Sequence, residues 1–352
     1  MHHTRRPRSI LGHLLMALFL VVLAAPAAAG QQPETKTLKL IGAGASFAAP
    51  LYLRWFRDYY LAHPQVEVDY QTIGSAGGVK DLIAGRIDFA GTDLRFTDEE
   101  AAQIPGGVTQ VPMAAGGIAV IYNIDGVSDL KLSRSALAGI FSGTVARWND
   151  PAIAATNPGA ALPDLPITVV GRADTGGTSY KFVRYLGAID PAFAEAVGTT
   201  MSPSWPKALK ERGGLVRGRG NDGVAASVRA IPGSIGYVQY AFGFLPGLKM
   251  AALENRAGKL VAPGTEAFEA ALRSIYEDQR IENAADPAGD DAYPMVAVTW
   301  LAFRNEYEDP AKLTTLKDIV AEAMGPGQAV TEQLGYVPFP APVIDYVESQ
   351  LK

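Results

Sequence analysis

The sequence predicts an α/β protein in which two lobes are joined by two crossover segments. Short apolar runs, several of them rich in β-branched residues, alternate with stretches that repeat apolar residues at helical spacing, which is typical of βα units. This alternation is interrupted once by a long central stretch that reads as a complete second lobe. The roughly 320 residues that follow a predicted leader exceed a typical single hydrophobic core.

Residues 1–29 have the composition of a signal peptide rather than of folded protein. Arg5, Arg6 and Arg8 form a basic start, residues 10–25 are mostly apolar, and the alanines at 27–29 fit a cleavage site before Gly30. The Arg5-Arg6 pair hints at twin-arginine export, but the context favours the Sec route. The chain contains no cysteine, so we expect neither a lipid anchor nor disulfides. We expect a free exported protein in the periplasm of a bacterium with two membranes.

The charge of the chain excludes some classes of function. Removing residues 1–29 takes away three of the 31 Lys and Arg residues and none of the 36 Asp and Glu residues, so the formal charge moves from −5 to −8. An acidic chain without a basic cluster is not expected to bind nucleic acid.

His63 is the only histidine after residue 29 and no cysteine occurs, so we expect no transition-metal site, no cofactor and no Ser-His hydrolytic triad.

The first two βα units place small polar loops at the ends of strands. A strand at residues 38–41 precedes the loop at 42–50, and an alternating strand at 66–70 precedes the Gly-rich loop at 74–78. A helix is predicted after each loop. Since the carboxyl ends of strands in an α/β sheet meet at one edge, the loops are expected to converge there.

A third predicted strand, residues 87–92, ends at Asp93. Residues 97–100 have the Thr-x-x-Glu pattern of a capping box, so a helix begins there and Asp93 lies in the preceding loop. Asp93 is either a simple turn residue or a functional carboxylate. Its position beside two converging loops favours the functional interpretation.

The next segment is interpreted as the crossover into the second lobe. Residues 108–113 and 117–123 are apolar, and the small residues 114–116 between them are expected to absorb hinge motion. A helix at residues 133–141 follows, with Ser133 as its cap. Trp148 is expected to serve local packing.

The loop that follows the strand at residues 167–170 has the features of an anion site. Arg172 offers a planar fork of donors, Asp174 is close enough to hold that fork, and a Gly-rich turn leads into a helix. By itself such a loop can also be an ordinary βα connection.

The remaining elements continue the same alternation. Asn221 or Asp222 is expected to cap a helix at residues 224–229, and Arg217 and Arg219 are expected to be solvated. Further predictions are a strand at residues 234–240, a helix at 266–281, a strand at 295–303 that returns to the first lobe, and helices at 312–324 and 343–351.

Four motifs, in this order, carry a resemblance to a known family. GAGASFAAP, IGSAGGVKDLIAGRIDFAGTD, VVGRADTGGTSYKF and GNDGVAASVRAIPGSIGYVQYA resemble the periplasmic phosphate-binding proteins of the PstS family, from Leu38 to LGYVPFP near the C-terminus. The resemblance implies a type II periplasmic binding protein with its ligand in the cleft between lobes. Lobe I would comprise residues 36–115 and 292–352, and lobe II residues 116–291.

The resemblance also implies a set of ligand-binding residues. Asp174 matches the residue that orients the arginine, and Phe47 would bind through its backbone N–H. The phosphate-binding set is Ser46, Phe47, Ser75, Asp93, Arg172, Gly176, Gly177 and Thr178. Gly176 stands where the family commonly has serine, so a hydroxyl donor is lost, and restoring it is expected to tighten binding by about 1 kcal/mol.

The implied function is the substrate-binding component of a phosphate ABC importer. It would capture inorganic phosphate and deliver it, as a monomer, to the membrane permease and ATPase. The chemistry of the residues agrees, because an ionised Asp93 only accepts hydrogen bonds and therefore suits an oxyanion that keeps a proton. Phosphate and arsenate fit this condition and sulfate does not. No enzyme activity is expected. There are two alternatives: a binding protein for another protonated oxyanion, arsenate, or a periplasmic phosphatase that uses the same pocket.

Overall fold

The strands fall into one large sheet and one small sheet. The computed structural model describes residues 37–277 and 285–352, so the predicted signal peptide and the end of the predicted helix at 266–281 lie outside the described residues. The strands are β1 (Leu38–Gly44), β2 (Val66–Thr72), β3 (Phe89–Thr92), β4 (Val108–Asn123), β5 (Lys131–Leu132), β6 (Thr168–Arg172), β7 (Leu215–Gly218), β8 (Ser234–Gln239), β9 (Lys249–Met250), β10 (Ala252–Glu254), β11 (Leu260–Val261) and β12 (Val296–Arg304).

The large sheet has two halves that share its longest strand. Its order is β2-β1-β3-β12-β4-β8-β6-β7, and β9 also pairs with β4. Residues 108–117 of β4 pair with β12, whereas residues 118–123 pair with β8. We call β2, β1, β3, β12 and residues 108–117 the first half, and residues 118–123 with β8, β9, β6 and β7 the second half. The small sheet has the order β11-β10-β5.

Within each half, parallel strands lie side by side as the βα alternation predicts. β1 pairs with β2 and β3 in parallel, and β6 does the same with β7 and β8. β12 runs antiparallel between β3 and β4, so the predicted return of the chain to the first half is confirmed. The predicted α/β class is confirmed as well.

The predicted crossover at residues 114–116 lies within β4, a continuous strand of 16 residues, and the hinge motion expected there stays a prediction. Ala114 and Ala115 are buried and pair with Thr299 and Val298 of β12. Small residues in this region allow close packing. A Cβ atom on Gly117 would lie 2.0 Å from the ring of Phe268, which fills that space.

The helices flank the sheet, and their starts follow local sequence signals. Thr97 and Glu100 form the predicted capping box, and the Ser133 hydroxyl accepts the N–H of Ala136 at 3.1 Å. The longer helices are α1 (Ala49–Ala62), α2 (Ser75–Ile83), α4 (Arg134–Ser142), α6 (Gly177–Ile189), α9 (Gly220–Ala230), α11 (Thr265–Glu277), α12 (Pro310–Met324) and α13 (Ala341–Gln350). The shorter ones are α3 (Asp98–Ala101), α5 (Pro151–Ala154), α7 (Pro191–Val197), α8 (Lys207–Glu211) and α10 (Ala241–Phe244), and 3₁₀ turns occupy Pro326–Val330 and Glu332–Leu334.

Aromatic clusters fill the core on each half of the sheet. Tyr52, Phe56, Tyr70 and Phe89 contact one another in the first half. The second half has an equivalent cluster of Phe141, Phe182, Trp205 and Tyr237. Aromatic pairs of this kind add specific geometry to the burial of apolar surface.

Local contacts define the surroundings of Trp148 and His63. Trp148 is fully buried and its indole N–H donates to the Gly233 carbonyl at 2.9 Å, as expected of a packing residue. His63 stacks on Tyr59 with 4.3 Å between ring centroids and lies 3.2 Å from Glu322.

Residues 37–352 form one compact unit, so the proposed boundaries of lobes I and II stay predictions. Across the described part of the chain, no helix combines the length and apolar character that a membrane crossing needs.

Candidate anion-binding site

The predicted ligand loops meet where the two halves of the sheet face each other. Ser46 follows β1, Ser75 is the first residue of α2, and Asp93 follows β3, whereas Arg172 ends β6 and Thr178 lies at the start of α6. All five are buried, with 1–2% of their surface exposed. The predicted loop at residues 74–78 is mostly helical, since Ser75–Gly78 form the first turn of α2.

Ser75 links the first half to the second. Its hydroxyl oxygen accepts two backbone N–H groups, from Asp93 at 3.2 Å and from Gly177 at 3.3 Å. Because Gly177 begins α6, this one hydroxyl holds the end of β3 against the helix of the opposite half.

Ser46 makes a second link of the same kind. Its hydroxyl oxygen accepts the backbone N–H of Asn221 at 3.1 Å and the side-chain Nδ2 of Asn221 at 2.9 Å. Nδ2 of Asn221 also donates to the Thr178 hydroxyl at 3.4 Å. The Ser46 loop, α6 and α9 are thereby brought to one place.

The predicted pair of Arg172 and Asp174 is present. Arg172 donates from Nε at 2.7 Å and from Nη2 at 2.5 Å to the two carboxylate oxygens, and the Gly220 N–H donates to Asp174 at 2.9 Å. Burial acts to lower the pKa of Arg172, but hydrogen bonding to Asp174 and its charge outweigh burial, so the guanidinium stays charged. Burial likewise acts to raise the pKa of Asp174, and Arg172 holds that pKa below its usual value.

Nη1 of Arg172 takes no part in the pair with Asp174. Nη1 is buried and has no hydrogen-bond partner among residues 37–277 and 285–352. A buried charged donor without a partner is costly, so this nitrogen is suited to a ligand that carries an acceptor.

Asp93 supplies a carboxylate inside the same pocket. Thr299 of β12 donates to its Oδ1 at 2.8 Å. Burial raises the pKa of Asp93 to about 6, and hydrogen bonds from Thr299 and Ser75 and the charges of Arg172 and Lys181 limit the rise. At neutral pH Asp93 is mostly ionised and accepts hydrogen bonds only.

Two glycines lie between these opposite charges. A Cβ atom on Gly176 would lie 2.5 Å from Nη2 and 3.2 Å from Nη1 of Arg172, and one on Gly177 would lie 2.8 Å from Oδ2 of Asp93. Gly176 has φ −111°, so its backbone tolerates a side chain and the guanidinium is what fills the space. This contact argues against the expected gain from serine at position 176, and the effect of that substitution stays a prediction.

Four helices begin at the pocket, each of eight residues or more. They are α1, directly after the Ser46-Phe47 pair, and α2, α6 and α9. The positive end of a helix dipole and its free N–H groups favour an anion. The Tyr336 hydroxyl donates to the Phe47 carbonyl at 2.7 Å, which fixes the backbone whose N–H was predicted to bind.

Sequence reasoning missed Asn221 and Thr299. The prediction that Asn221 or Asp222 caps α9 is wrong, because Arg219 is the N-cap and makes no side-chain capping bond. Asn221 follows β7, which runs parallel to β6, so the strand-end rule applied to the other loops would have found it. Thr299 is a hydroxyl within the otherwise apolar run of β12. Arg217 and Arg219 are exposed, as expected.

The pocket therefore combines many donors with one acceptor. Such a site can hold a buried tetrahedral oxyanion that keeps at least one proton. No group of three or more His, Cys, Asp or Glu side chains in the described ranges is arranged to hold a metal ion.

Comparisons with known proteins agree with this description. A family model described as the PBP superfamily domain matches residues 27–321. The chain is 36% identical to the phosphate-binding protein PstS of Xylella fastidiosa over 90% of this chain and 85% of that protein. It is also 36% identical to the protein of the same name from Pasteurella multocida, over 96% of this chain and 95% of that one.

Solved structures share the fold. A high-affinity periplasmic phosphate-binding protein bound with phosphate matches with a TM-score of 0.71 and 23% identity, covering 89% of this chain and 93% of its own. At that level of identity the likeness shows the fold, which is the type II arrangement predicted from the sequence.

Proposed function

The chain belongs to the PstS family of phosphate-binding proteins within the PBP superfamily, and from this premise we propose that it is the substrate-binding component of a phosphate ABC importer. It captures inorganic phosphate and delivers it to a membrane permease and its ATPase. The observation that carries the proposal is the buried Nη1 of Arg172, a cationic donor without a protein partner in a pocket of hydroxyls and helix N-termini.

The proposed phosphate contacts are those that the family resemblance implies, and the geometry of the pocket supports the role of Arg172, which provides Nη1 and its charge. Ser46, Ser75 and Thr178 provide hydroxyl donors, and Phe47, Gly176 and Gly177 provide the predicted backbone N–H groups. In the ligand-free structure the N–H of Gly176 donates to the Met201 carbonyl at 3.2 Å and that of Gly177 to the Ser75 hydroxyl at 3.3 Å, so phosphate would share or replace these acceptors. Asp93 accepts the proton of the ligand, and Asp174 holds Arg172 in place.

Asp93 is also the proposed basis of selectivity. Phosphate keeps a proton at neutral pH and can donate it to the carboxylate, whereas sulfate would place a bare oxygen against it. A site that leaves a buried polar group unpaired rejects the wrong ligand by roughly 10⁴-fold. Arsenate carries the same protons as phosphate, and this pocket is expected to bind it as well.

We propose binding without catalysis, in the periplasm, by a monomer. The proposed lobes, residues 36–115 with 292–352 and residues 116–291, close on the ligand, because donors come from both halves of the sheet. A chromogenic phosphoester is expected to give no turnover, and turnover that Arg172→Ala removes would support the phosphatase alternative.

The direct test is calorimetric titration of protein that has been unfolded, washed free of carried-over ligand and refolded. We expect saturable binding of phosphate and arsenate with one site per chain. Millimolar sulfate should give no heat and should not compete. Refolded protein that is monomeric and stable but binds none of the three anions would refute the proposed function.

A further inference from the structure

Asn221 is fully buried, and every polar atom of its side chain has a partner. Its Oδ1 accepts the backbone N–H of Gln239 at 3.0 Å, so the amide oxygen must face β8. Nδ2 therefore faces Ser46 and Thr178, and the alternative orientation of the amide is excluded by the fixed backbone donor.

The contacts of Asn221 determine which way the Ser46 hydroxyl points. A serine hydroxyl has two acceptor lone pairs and one proton. Asn221 occupies both lone pairs, one with its backbone N–H at 3.1 Å and one with Nδ2 at 2.9 Å. The group left for the ligand is the proton, so Ser46 meets an anion as a donor.

We propose that Asn221 is a positioning residue of the pocket, which turns the hydroxyl proton of Ser46 toward the bound phosphate. The inference rests on the proposed function and adds a residue that need not touch the ligand. A hydroxyl held in this direction in the closed arrangement presents its proton, and not a lone pair, to the anion, which favours affinity.

The orientation also depends on the two halves being together. Ser46 belongs to the first half and Asn221 to the second, 175 positions apart in the chain. The hydroxyl therefore gains its fixed direction only in the closed arrangement. Ser75 is held in the same way by two backbone N–H groups, which mutation cannot remove, so Asn221 gives the accessible test.

The test is a double-mutant cycle with Asn221→Ala and Ser46→Ala, in which inorganic phosphate is titrated by calorimetry into refolded, ligand-free protein. In the wild-type background, Asn221→Ala should weaken binding by about tenfold, the scale of one hydrogen bond to a charged group. In the Ser46→Ala background the same change should weaken binding by less than about threefold, because the hydroxyl through which Asn221 mainly acts is gone and only its longer contact with Thr178, at 3.4 Å, remains. A tenfold loss in both backgrounds, or no loss in the wild-type background, overturns the proposal.

Asn123→Ala is the matched control. Nδ2 of Asn123, the last residue of β4, donates to the Val228 and Arg229 carbonyls at the other end of α9, both at 3.0 Å, so the variant loses a side-chain amide that contacts the same helix without affecting Ser46. Asn123→Ala should lower the free energy of unfolding and leave the phosphate dissociation constant within about twofold, because the loss of a hydrogen bond away from the pocket acts mainly on folding.

If Asn221→Ala does not fold, Asn221→Ser replaces it in the cycle, since a serine side chain is too short to reach the hydroxyls of both Ser46 and Thr178. A wild-type protein that binds no phosphate would refute the proposed function, whereas additive losses would refute only the role of Asn221.

Discussion

Replacing Asp93 with Asn should stabilise the ligand-free protein at neutral pH while impairing phosphate binding. Burial raises the pKa of Asp93 from its ordinary value of 3.8 to about 6. A shift of about two units corresponds to about 3 kcal/mol of free energy of unfolding, at 1.36 kcal/mol per unit. Asn cannot ionise, and its Oδ1 can still accept the hydrogen bond from Thr299.

The sign of the pH dependence follows from the direction of this shift. Because the folded-state pKa lies above the unfolded one, the contribution of Asp93 to stability is fully present below about pH 4 and is lost as the pH rises through about 6. Asp93→Asn should therefore unfold about 5 °C higher than wild type at pH 7.5, with no difference at pH 4. The measurement is thermal or urea unfolding of refolded, ligand-free protein at pH 4, 5, 6 and 7.5.

Asp88→Asn is the matched control, because Asp88 is a buried carboxylate of the same half of the sheet with a different environment. Asp88 pairs with Lys312 at 2.7 Å and accepts the Ile41 N–H at 2.8 Å, so its replacement should destabilise the protein at pH 7.5. If Asp93→Asn is less stable than wild type at pH 7.5, or if its gain in stability does not change with pH, then burial does not raise the pKa of Asp93 in the folded protein.

Three further predictions concern the ligand. Arg172→Ala should cost about 2–5 kcal/mol of phosphate binding by calorimetry, because it removes a buried cationic donor; Arg134→Ala, which breaks a bidentate pair with Asp286, is the control and should leave binding unchanged. Gly176→Ser should weaken phosphate binding by about 1–3 kcal/mol through overpacking against the guanidinium, and tighter binding would mean that Arg172 moves aside when phosphate binds. The preference for phosphate over sulfate should narrow by about tenfold between pH 8 and pH 5, because protonated Asp93 can donate to sulfate, and a preference that stays constant over this range would exclude Asp93 as its source.

Most of the fold was predictable, because apolar periodicity and helix-start signals are local properties of the chain. The capping box at Thr97 and the cap at Ser133 are both present. The unbroken course of β4 from residue 108 to residue 123 was not predictable, because small residues such as those at 114–116 suit either a hinge or close packing. Their packing neighbours are set by long-range contacts, such as that of Gln239, whose side-chain nitrogen would lie 3.2 Å from a Cβ atom on Gly116.

The predicted site residues come together for a reason that the sequence contains, since each loop follows a parallel strand. The roles of Asn221 and Thr299 in the pocket were not predicted from the sequence, for two different reasons. Asn221 has a sequence neighbourhood that equally suits a helix cap, and its partner Ser46 is 175 positions away. Thr299 lies within an apolar strand, where a threonine is an ordinary β-former until its neighbour is known to be Asp93.

The burial of Asp93 that costs stability in the ligand-free protein is also the proposed source of the selectivity of the pocket. A carboxylate whose pKa is raised by burial gains more from a proton donor than a solvated carboxylate would, because the alternative is an ionised group without water. In the proposed complex, phosphate would provide that proton to Asp93 and, at the same time, acceptors for Nη1 of Arg172, which has no partner among the described residues. One ligand thus pairs both the Asp93 carboxylate and Nη1 of Arg172, so binding offsets the cost of burying each of these two charged groups. Sulfate can satisfy Arg172 but leaves Asp93 facing another acceptor, and its affinity is limited by the group that it cannot pair.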